Sequence, residues 1–342
     1  MLIVYSMPSG IGWSVITYMV KLAQELLEAD LLIVSSDKSF SKIDQLKIFF
    51  PRLNSKLSQE SCLLICPSPT SLLSIMEIMN WRKRFRFIAA WIIDSFWVDR
   101  IPKSIKMTRH FDHFFVMRKE DVNEWEQQTK TPTTYLPWGA DVLRLGSDNS
   151  DRIVDLTRVG RQPPQWEDDK ATLSECQKFN LKFQGRPKPY DDALVNQQKI
   201  MEIYSQSKFL LAFSNLASPS NYTHPLKEYI TARWVDALAC GATVAGIPPN
   251  CFCTQELLWE GSLLDLNTID RNEGLKVIID AVQSWTPEKA QNNYYHALKK
   301  LDWRWRFLKI ANIFNETPKL LSDELELIRE KIEQINFNKQ EY

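Results

Sequence analysis

Short apolar runs alternate with amphipathic stretches along the first part of the chain. Leu2–Ser6 has the length and continuity of a buried strand, and apolar residues recur at helical spacing over 13–28. The same alternation continues, and it predicts strands over 31–35, 62–66, 87–93, 113–117 and 133–136 and helices over 42–49, 71–79 and 119–127. Strands separated by helical segments predict a parallel sheet with helices on both faces.

The alternation begins again after a polar stretch at 146–151. It predicts strands over 152–160, 181–184 and 209–213, a helix over 193–206, and later helices over 287–298, 303–314 and 323–334. The fold class is therefore α/β, with two Rossmann-like, doubly wound domains. We predict domains over 1–148 and 149–315, followed by a C-terminal helix within 316–342.

Composition narrows the class of protein. The 342 residues include 42 basic and 42 acidic side chains, a balance that argues against a nucleic-acid-binding protein. The first apolar run is too short for a signal peptide, and the uncharged stretch 61–76 is too short to span a bilayer. The six cysteines lack the spacing of a zinc site. These features predict reduced, buried thiols in a cytoplasmic protein.

The segment from Glu228 to Gly246 is the most informative part of the sequence. Two acids stand eight positions apart, and the second, Asp236, lies on a predicted helix that ends at Gly241 and leads into a short apolar strand. In a helix, eight positions correspond to about 80° of rotation, so Glu228 is expected to precede the helix. The pattern predicts a βαβ unit whose loop and helix start lie at the carboxyl edge of a parallel sheet, where phosphate-bearing ligands bind.

This pattern resembles the donor-nucleotide half of GT-B glycosyltransferases, in particular the family-4-like enzymes (glycosyl transferases group 1). Their signature is an acid, seven residues, a second acid and then Ala-hydrophobe-Ala-Cys-Gly, and Asp236 stands here for the usual second Glu. The resemblance implies that Asp236 holds the donor ribose and that Glu228 lies near the transferred sugar and the diphosphate. Two isolated acids would be ordinary residues of a helix's first turns; the Ala-Leu-Ala-Cys-Gly that follows favours the site.

Three further segments are similar to that family. Gly10-Ile-Gly12 resembles the glycine loop that faces the donor phosphates across a cleft between the two domains. Leu136-Pro-Trp-Gly139-Ala-Asp141 resembles the segment that closes the first domain, and Val159-Gly160-Arg161 resembles the strand end whose arginine contacts the diphosphate. The expected architecture is therefore GT-B, two domains facing across a cleft. The resemblance also implies that the C-terminal helix within 316–342 packs back on the first domain.

The remaining donor-binding residues follow from their places beside these motifs. Asn215 and Ser214 end the strand before the signature, and His224 lies in the loop before Glu228. The amides of Tyr229, Ile230 and Thr231 are expected at the helix start, where they would donate to phosphate.

The sequence departs from the family at two further positions. The family's second phosphate-binding cation, a lysine about five residues after the arginine, is missing, so Arg158, Lys170 or Lys188 would supply that charge. Where many members have His-Asp at the end of a middle strand, this chain has Ile93-Asp94. Asp94 is the candidate base if the enzyme inverts the sugar.

The resemblance implies a glycosyltransferase that uses a nucleotide-diphosphate sugar as donor, without a further cofactor. Retention of configuration and independence of metals are usual for such enzymes, and the sequence contains no Asp-x-Asp metal motif before a nucleotide site. The first domain would bind the unidentified acceptor and the second the donor. Glu228, Arg161 and Asp94 are the residues expected at the reaction.

Other interpretations remain open at this point. A non-catalytic GT-B relative that binds a glycan or a partner is one alternative. A dehydrogenase is another, with Gly10-Ile-Gly12 as a dinucleotide loop and Asp37 on the ribose, although Val15 replaces the third glycine. The basic and aromatic cluster Trp81–Phe87 is either a patch that touches anionic lipid or a solvated helix end before a buried strand.

Overall fold

The computed structural model describes residues 1–36, 40–50, 58 and 60–340. The chain forms two compact units, the first made of Met1–Pro137 and Arg306–Asp323 and the second of Trp138–Trp305 and Glu324–Tyr342. Each unit carries its own parallel sheet, so the predicted α/β class with two Rossmann-like units is confirmed. Asp37, the residue on which the dehydrogenase interpretation depends, lies outside the described residues.

The first unit is built on a six-stranded sheet in which every described strand pair is parallel. Its strands, in chain order, are β1 (Leu2–Met7), β2 (Asp30–Ser35), β3 (Ser61–Cys66), β4 (Phe87–Ile92), β5 (His113–Val116) and β6 (Thr133–Tyr135). The order across the sheet is β2-β1-β3-β4-β5-β6. Strands β1, β3 and β4 are apolar and buried along most of their length, because helices cover both faces of a parallel sheet.

Helices connect these strands. They are α1 (Ser14–Leu26), α2 (Lys42–Lys47), α3 (Trp81–Arg84), α4 (Lys103–Met107) and α5 (Val122–Thr129), with 3₁₀ helices at Ile11–Trp13, Pro69–Glu77, Val98–Arg100 and Lys119–Asp121. Two of the helices, α3 and α4, were not predicted. The helix predicted over 71–79 is therefore a 3₁₀ helix, and it begins two residues earlier. Its first turn is rich in hydroxyl side chains, and Ser68 and Thr70 hydrogen-bond each other at 2.8 Å. Such side chains compete with regular α-helical bonding.

The second unit has a five-stranded parallel sheet with the order β11-β10-β9-β7-β8. Its strands are β7 (Val154–Arg158), β8 (Phe183–Gln184), β9 (Ser207–Leu211), β10 (Thr243–Gly246) and β11 (Leu263–Asp265). Its helices, and those that follow to the end of the described chain, are α6 (Val142–Leu145), α7 (Pro164–Glu167), α8 (Asp169–Lys178), α9 (Ala193–Ser205), α10 (Ala232–Ala239), α11 (Phe252–Leu257), α12 (Arg271–Gln283), α13 (Pro287–Lys300), α14 (Trp303–Phe314) and α15 (Lys319–Gln340). The strand predicted over 152–160 is limited to β7, so the residues after Arg158 are free to form a loop.

The strand orders locate a crevice in each sheet. In the second unit, β7 lies between β8 and β9, so the chain leaves the carboxyl ends of β7 and β9 in opposite directions. This reversal is a topological switch point, the position where open α/β sheets bind their ligands. The corresponding point of the first unit lies at the carboxyl ends of β1 and β3.

Helix α10 ends as the sequence predicts. The amide of Gly241 donates to the Leu238 carbonyl at 3.0 Å, and the amide of Ala242 donates to the Ala237 carbonyl at 2.9 Å. This is a Schellman motif, and it requires the left-handed conformation that Gly241 adopts, with φ of +78°. The motif stops the helix and directs the chain into β10, so the βαβ unit predicted around Asp236 is confirmed.

A buried ion cluster lies at the beginning of α14. The Arg304 guanidinium donates to Asp141 Oδ1 at 2.8 Å and to Asp302 Oδ1 at 2.9 Å, and it also contacts the Glu324 carboxylate. The second oxygen of Asp302 accepts from the Leu143 amide at 3.0 Å. Three segments that are distant in sequence are thereby joined inside the second unit.

Candidate functional site

The sequence-predicted donor residues of the second unit meet at its switch point. Residues 159–162 follow β7, residues 212–215 follow β9, and residues 228–233 lead into α10. Because the carboxyl ends of parallel strands open at one edge, these three segments form the rim of the crevice. Their side chains define the candidate site.

Arg161 is the cation at the centre of this rim. Its Nε donates to Ser218 Oγ at 3.1 Å, and its guanidinium carbon lies 4.9 Å from the centre of the Tyr222 ring. One terminal nitrogen, Nη1, is buried and has no hydrogen-bond partner. A buried guanidinium N–H without an acceptor is costly, so this atom marks a place where an anionic group would be stabilised.

Arg233, in the first turn of α10, fixes the loop that carries Arg161. Its Nη1 donates to the Arg161 carbonyl at 2.5 Å and to the Val159 carbonyl at 3.3 Å. Burial lowers the pKa of Arg233, the hydroxyl of Tyr204 acts in the opposite direction, and the charge of Arg161 lowers it further. Two guanidinium groups therefore lie close together at this edge. Of the predicted second cations, Lys170 and Lys188 are exposed. Arg233, which the sequence did not single out, binds the Arg161 carbonyl directly.

Three further buried polar atoms at the rim lack partners. They are Gln162 Oε1, Asn215 Oδ1 and Thr231 Oγ1. The amide orientations are fixed, because Gln162 Nε2 donates to the Leu211 carbonyl at 3.1 Å and Asn215 Nδ2 donates to the carbonyls of His224 and Lys227, both at 3.0 Å. The unpartnered atoms of the two amides are therefore oxygens, which accept hydrogen bonds. The site offers acceptors for a ligand's hydroxyl or N–H groups beside a donor for an anion.

Glu228 and His224 are held at the same edge. Glu228 Oε1 accepts a hydrogen bond from Ser214 Oγ, in the segment that follows β9. His224 Nδ1 accepts from the amides of Leu226 at 3.1 Å and Lys227 at 2.9 Å, so the ring's proton is on Nε2 when the imidazole is neutral. The predicted arrangement, with Glu228 before the helix and Asp236 within it, is confirmed.

Asp236 is buried on the inner side of α10. Its Oδ2 accepts from Gln197 Nε2 of α9 at 3.0 Å, whereas its Oδ1 has no partner. Burial raises the pKa of Asp236 to about 7, and the bond from Gln197 acts in the opposite direction. A carboxyl in this state both donates and accepts near neutral pH.

We expect Asp236 to make the stability of the chain depend on pH. The pKa of Asp236 in the folded state lies above its ordinary value of 3.8. The stabilisation that the protonated carboxyl gives to the folded state is therefore fully present below about pH 4 and is lost as pH rises through 7. Asp236→Asn should therefore be about as stable as the parent at pH 4 and more stable at pH 8, by up to about 4 kcal/mol. Urea unfolding at both pH values measures this difference. Equal stabilities at pH 8 would contradict the assignment.

Arg158 was predicted to bind the donor, but its guanidinium is saturated within the protein. It donates to Glu167 Oε2 and to the Glu167 carbonyl, both at 2.9 Å, and it also contacts Asp169. The side chain is 3% exposed. Arg186 binds the other oxygen of Glu167. Arg158 thus joins α7 and α8 to β7, and it is not part of the candidate donor site.

The predicted position of the helix amides also changes. Helix α10 begins at Ala232, with Thr231 in the extended N-cap position, so Tyr229, Ile230 and Thr231 belong to the connection before the helix. The first amides without an intrahelical acceptor are those of Ala232 and Arg233. Ile230 is buried, 1% exposed, and anchors this connection in the core.

The predicted residues of the first unit lie at the carboxyl edge of its own sheet. Gly10 and Gly12 follow β1, and Gly10 has φ of +100° with open space where a side chain would be. Asp94 follows β4, and burial raises its pKa to about 7 although the charge of Arg100 lowers it. Arg100 in turn stacks on Trp97, with its guanidinium carbon 3.4 Å from the ring centre.

Other features of the described residues do not compete with this site. Among the described residues, no group of three or more acidic, His or Cys side chains is placed to hold a metal ion. No helix in the described part of the chain is both long and apolar enough to cross a bilayer. All six cysteines are buried, as predicted, and none of them forms a disulfide. A cavity of about 1020 Å³ lies at the amino ends of β10 and β11, but the buried amide in its wall, Asn293, is already paired with Trp259, Gly241 and Thr243.

Sequence reasoning missed several residues of the rim. Gln162, Ser218, Tyr222 and Arg233 were not singled out. Arg233 precedes Asp236 by one helical turn and lies at a helix start, which is the only local signal that could have identified it. Ser218 and Tyr222 belong to an irregular loop, and their contacts with Arg161 depend on how that loop folds.

Among known proteins, similarity to this chain is found in solved structures. No family model matches this chain, and no curated protein matches it. Solved structures of GT-B glycosyltransferases are similar to it in fold. The pneumococcal O-GlcNAc transferase GtfA, in complex with UDP and GlcNAc, is 12% identical over 74% of this chain and 56% of its own, with a TM-score of 0.45.

Two other structures give similar values. TarM is 14% identical over 82% of this chain and 59% of its own, with a TM-score of 0.48. A mutant of T4 phage BGT in complex with UDP-glucose is 12% identical over 92% of this chain and 98% of its own, also with a TM-score of 0.48. The chain thus spans between 56% and 59% of the length of GtfA and TarM. At these identities and scores the likeness is one of fold.

Proposed function

We propose that this protein is a glycosyltransferase that transfers a sugar from a nucleotide-diphosphate sugar to an acceptor, and that the second unit binds the donor. The observation that carries the proposal is the group of unpartnered buried polar atoms on Arg161, Gln162, Asn215 and Thr231 at the switch point. A buried cationic donor and several oxygen acceptors are arranged together there, and a sugar nucleotide presents phosphate oxygens beside hydroxyl groups. Each class of orphaned atom thus has a matching group on the ligand.

The reaction is limited by departure of the nucleoside diphosphate. We assign its stabilisation to Arg161 and to the amides of Ala232 and Arg233 at the start of α10. These groups are held in place before the reaction, Arg161 by Ser218 and its loop by Arg233, so they need little reorganisation as negative charge develops. Glu228, held by Ser214, would orient the sugar, and Asp236 would contact the ribose.

The finer features of the proposal concern stereochemistry and the acceptor. We propose transfer with retention of configuration, in the manner of family-4-like enzymes, and without a metal ion. We assign the acceptor to the first unit, where Asp94 lies at the carboxyl end of β4 with a pKa of about 7. A carboxyl with that pKa is suited to accept a proton from a hydroxyl near neutral pH, so Asp94 is also the base if the enzyme inverts configuration.

A thermal-shift panel tests the donor assignment. UDP, GDP and their common sugar derivatives would each be added to the intact chain, and at least one is expected to raise the melting temperature. A ligand at 100 times its Kd stabilises the folded state by about 2.7 kcal/mol. The same ligand should give no shift with Arg161→Ala. If no nucleotide shifts the parent protein, the donor assignment fails, and the alternative of a non-catalytic GT-B-like protein that binds a glycan or a partner is favoured.

A further inference from the structure

Apolar side chains on α2 face solvent instead of the core. Ile43 and Leu46, three residues apart on one side of the helix, are 68% and 64% exposed. Phe49 and Phe50, in the turn that follows, are 43% and 64% exposed, whereas Ile48 is buried and anchors the turn. An apolar row on a helix normally faces the core, so this outward row needs an explanation outside the fold.

The end of α2 lies beside α3, and the two carry one continuous surface. Arg82 Nε donates to the Phe50 carbonyl at 3.3 Å, and its Nη2 also binds the Lys47 carbonyl. Met79, just before α3, is 81% exposed. We call this surface the α2–α3 patch; its apolar members are Ile43, Leu46, Phe49, Phe50 and Met79, and its basic members are Lys47, Arg82 and Lys83.

The basic and aromatic cluster noted in the sequence contributes only its cations to this patch. Trp81 and Phe85 are buried in the core, 4% and 0% exposed. Arg84 pairs with Glu60 at 2.7 Å, and Arg86 pairs with Glu316 at 3.2 Å. The apolar part of the surface therefore comes from α2, which the sequence reasoning did not associate with it.

The charge around the apolar row is positive. The one described acid on α2 is Asp44, which binds Ser41 and pairs with Lys47 at 2.8 Å. Arg82 and Lys83 add positive charge beside it. Exposed apolar residues rimmed by cations are complementary to a surface that is apolar beneath an anionic outer layer, which describes a bilayer containing acidic lipids.

We propose that the α2–α3 patch docks the first unit on an anionic lipid bilayer. Phe49, Phe50, Leu46 and Ile43 enter the interfacial layer, while Lys47, Arg82 and Lys83 lie at the level of the headgroups. The patch belongs to one unit, and the proposal does not depend on the sugar-transfer function. It would place an enzyme that carries it next to acceptors held at a membrane.

Vesicle co-sedimentation of the intact chain tests this docking. Vesicles of phosphatidylcholine alone would be compared with vesicles that also contain phosphatidylglycerol, at low and at high salt. The protein is expected to sediment with the anionic vesicles and to be released by salt, since the charge contribution is screened. Lys83→Glu should weaken this binding at least about fivefold, because each cation near such a surface contributes about 1 kcal/mol.

A matched pair of apolar variants separates docking from general stickiness. Ile43→Ser is expected to weaken vesicle binding, whereas Ile153→Ser, which changes an isoleucine that is 54% exposed in the second unit, should not. Circular dichroism confirms that each variant is folded. Absence of binding to anionic vesicles, or equal binding by both serine variants, overturns the proposal. Concentration-dependent self-association that Ile43→Ser abolishes, without vesicle binding by the parent, would assign the patch to a second copy of the chain.

Discussion

Replacing Arg161 by alanine is expected to lower turnover of the sugar nucleotide by about 100- to 1000-fold while the protein stays folded. Loss of one preorganised donor to a developing anion typically costs this much. Arg161 is only partly buried, and the contacts it would lose are one bond to Ser218 and the face of Tyr222, so the fold does not depend on it. Release of nucleoside diphosphate from the donor found by thermal shift is the quantity to measure.

Two companion variants define what the loss means. Arg161→Lys keeps the charge but not the planar, forked donor geometry, so partial activity is expected. Glu228→Ala should lose turnover while keeping more of its affinity for the free nucleoside diphosphate, because Glu228 is assigned to the sugar. Arg329→Ala, at an exposed pair with Glu326, is the control and should behave as the parent. If Arg161→Ala and Glu228→Ala both turn over the donor at the parent rate, the active site does not lie at this edge of the sheet.

Arg304→Met is expected to destabilise the second unit by about 3–5 kcal/mol. The substitution leaves the carboxylates of Asp141 and Asp302, which are 2% and 0% exposed, without their cation. An uncompensated buried charge costs this much, although the intact pair itself adds little compared with apolar residues of the same size. Urea unfolding followed by tryptophan fluorescence gives the free energy of unfolding.

The pH dependence of this variant provides a check on the cause. Burial raises the pKa of Asp302, whereas the charge of Arg304 lowers it, so removing Arg304 raises that pKa further. The deficit of Arg304→Met should therefore shrink as pH falls and Asp302 becomes protonated in the folded state. Arg329→Met, which breaks an exposed pair, should change stability by less than about 1 kcal/mol. A loss of similar size in both variants would mean that the buried cluster is not the cause.

Local patterns in the sequence were sufficient for much of the site. The acid spacing from Glu228 to Asp236, followed by Ala-Leu-Ala-Cys-Gly, predicted the helix and its end at Gly241. This was possible because a Schellman motif is formed by a few neighbouring residues. The place of Arg161 after a strand was also predicted from neighbouring residues, although the strand ends earlier than predicted, at Arg158. Neither inference needs contacts between distant segments.

The residues whose surroundings the sequence did not predict share one property. Their contacts are made with other elements of the fold and not with adjacent residues. Arg158 had the position of a phosphate-binding cation, yet Glu167 and Asp169 fold back over it and saturate it. For the cluster at Trp81, the sequence left open a patch that touches lipid and a solvated helix end, and it did not predict that Trp81 and Phe85 are buried in the core. The charge and type of a residue do not reveal which groups will form hydrogen bonds or ion pairs with it in the fold.

By itself, the sequence determined the α/β class, the two repeated sets of strands and helices, and the helix that carries Asp236, because hydrophobic periodicity and helix stop signals act over a few residues. Only the tertiary structure decided which polar groups lack partners, that Arg233 supports Arg161, and that α2 presents its apolar side to solvent. Those properties depend on hydrogen bonds and burial between segments far apart in the chain, and the free energy of an unpaired group is set by whatever the fold brings beside it.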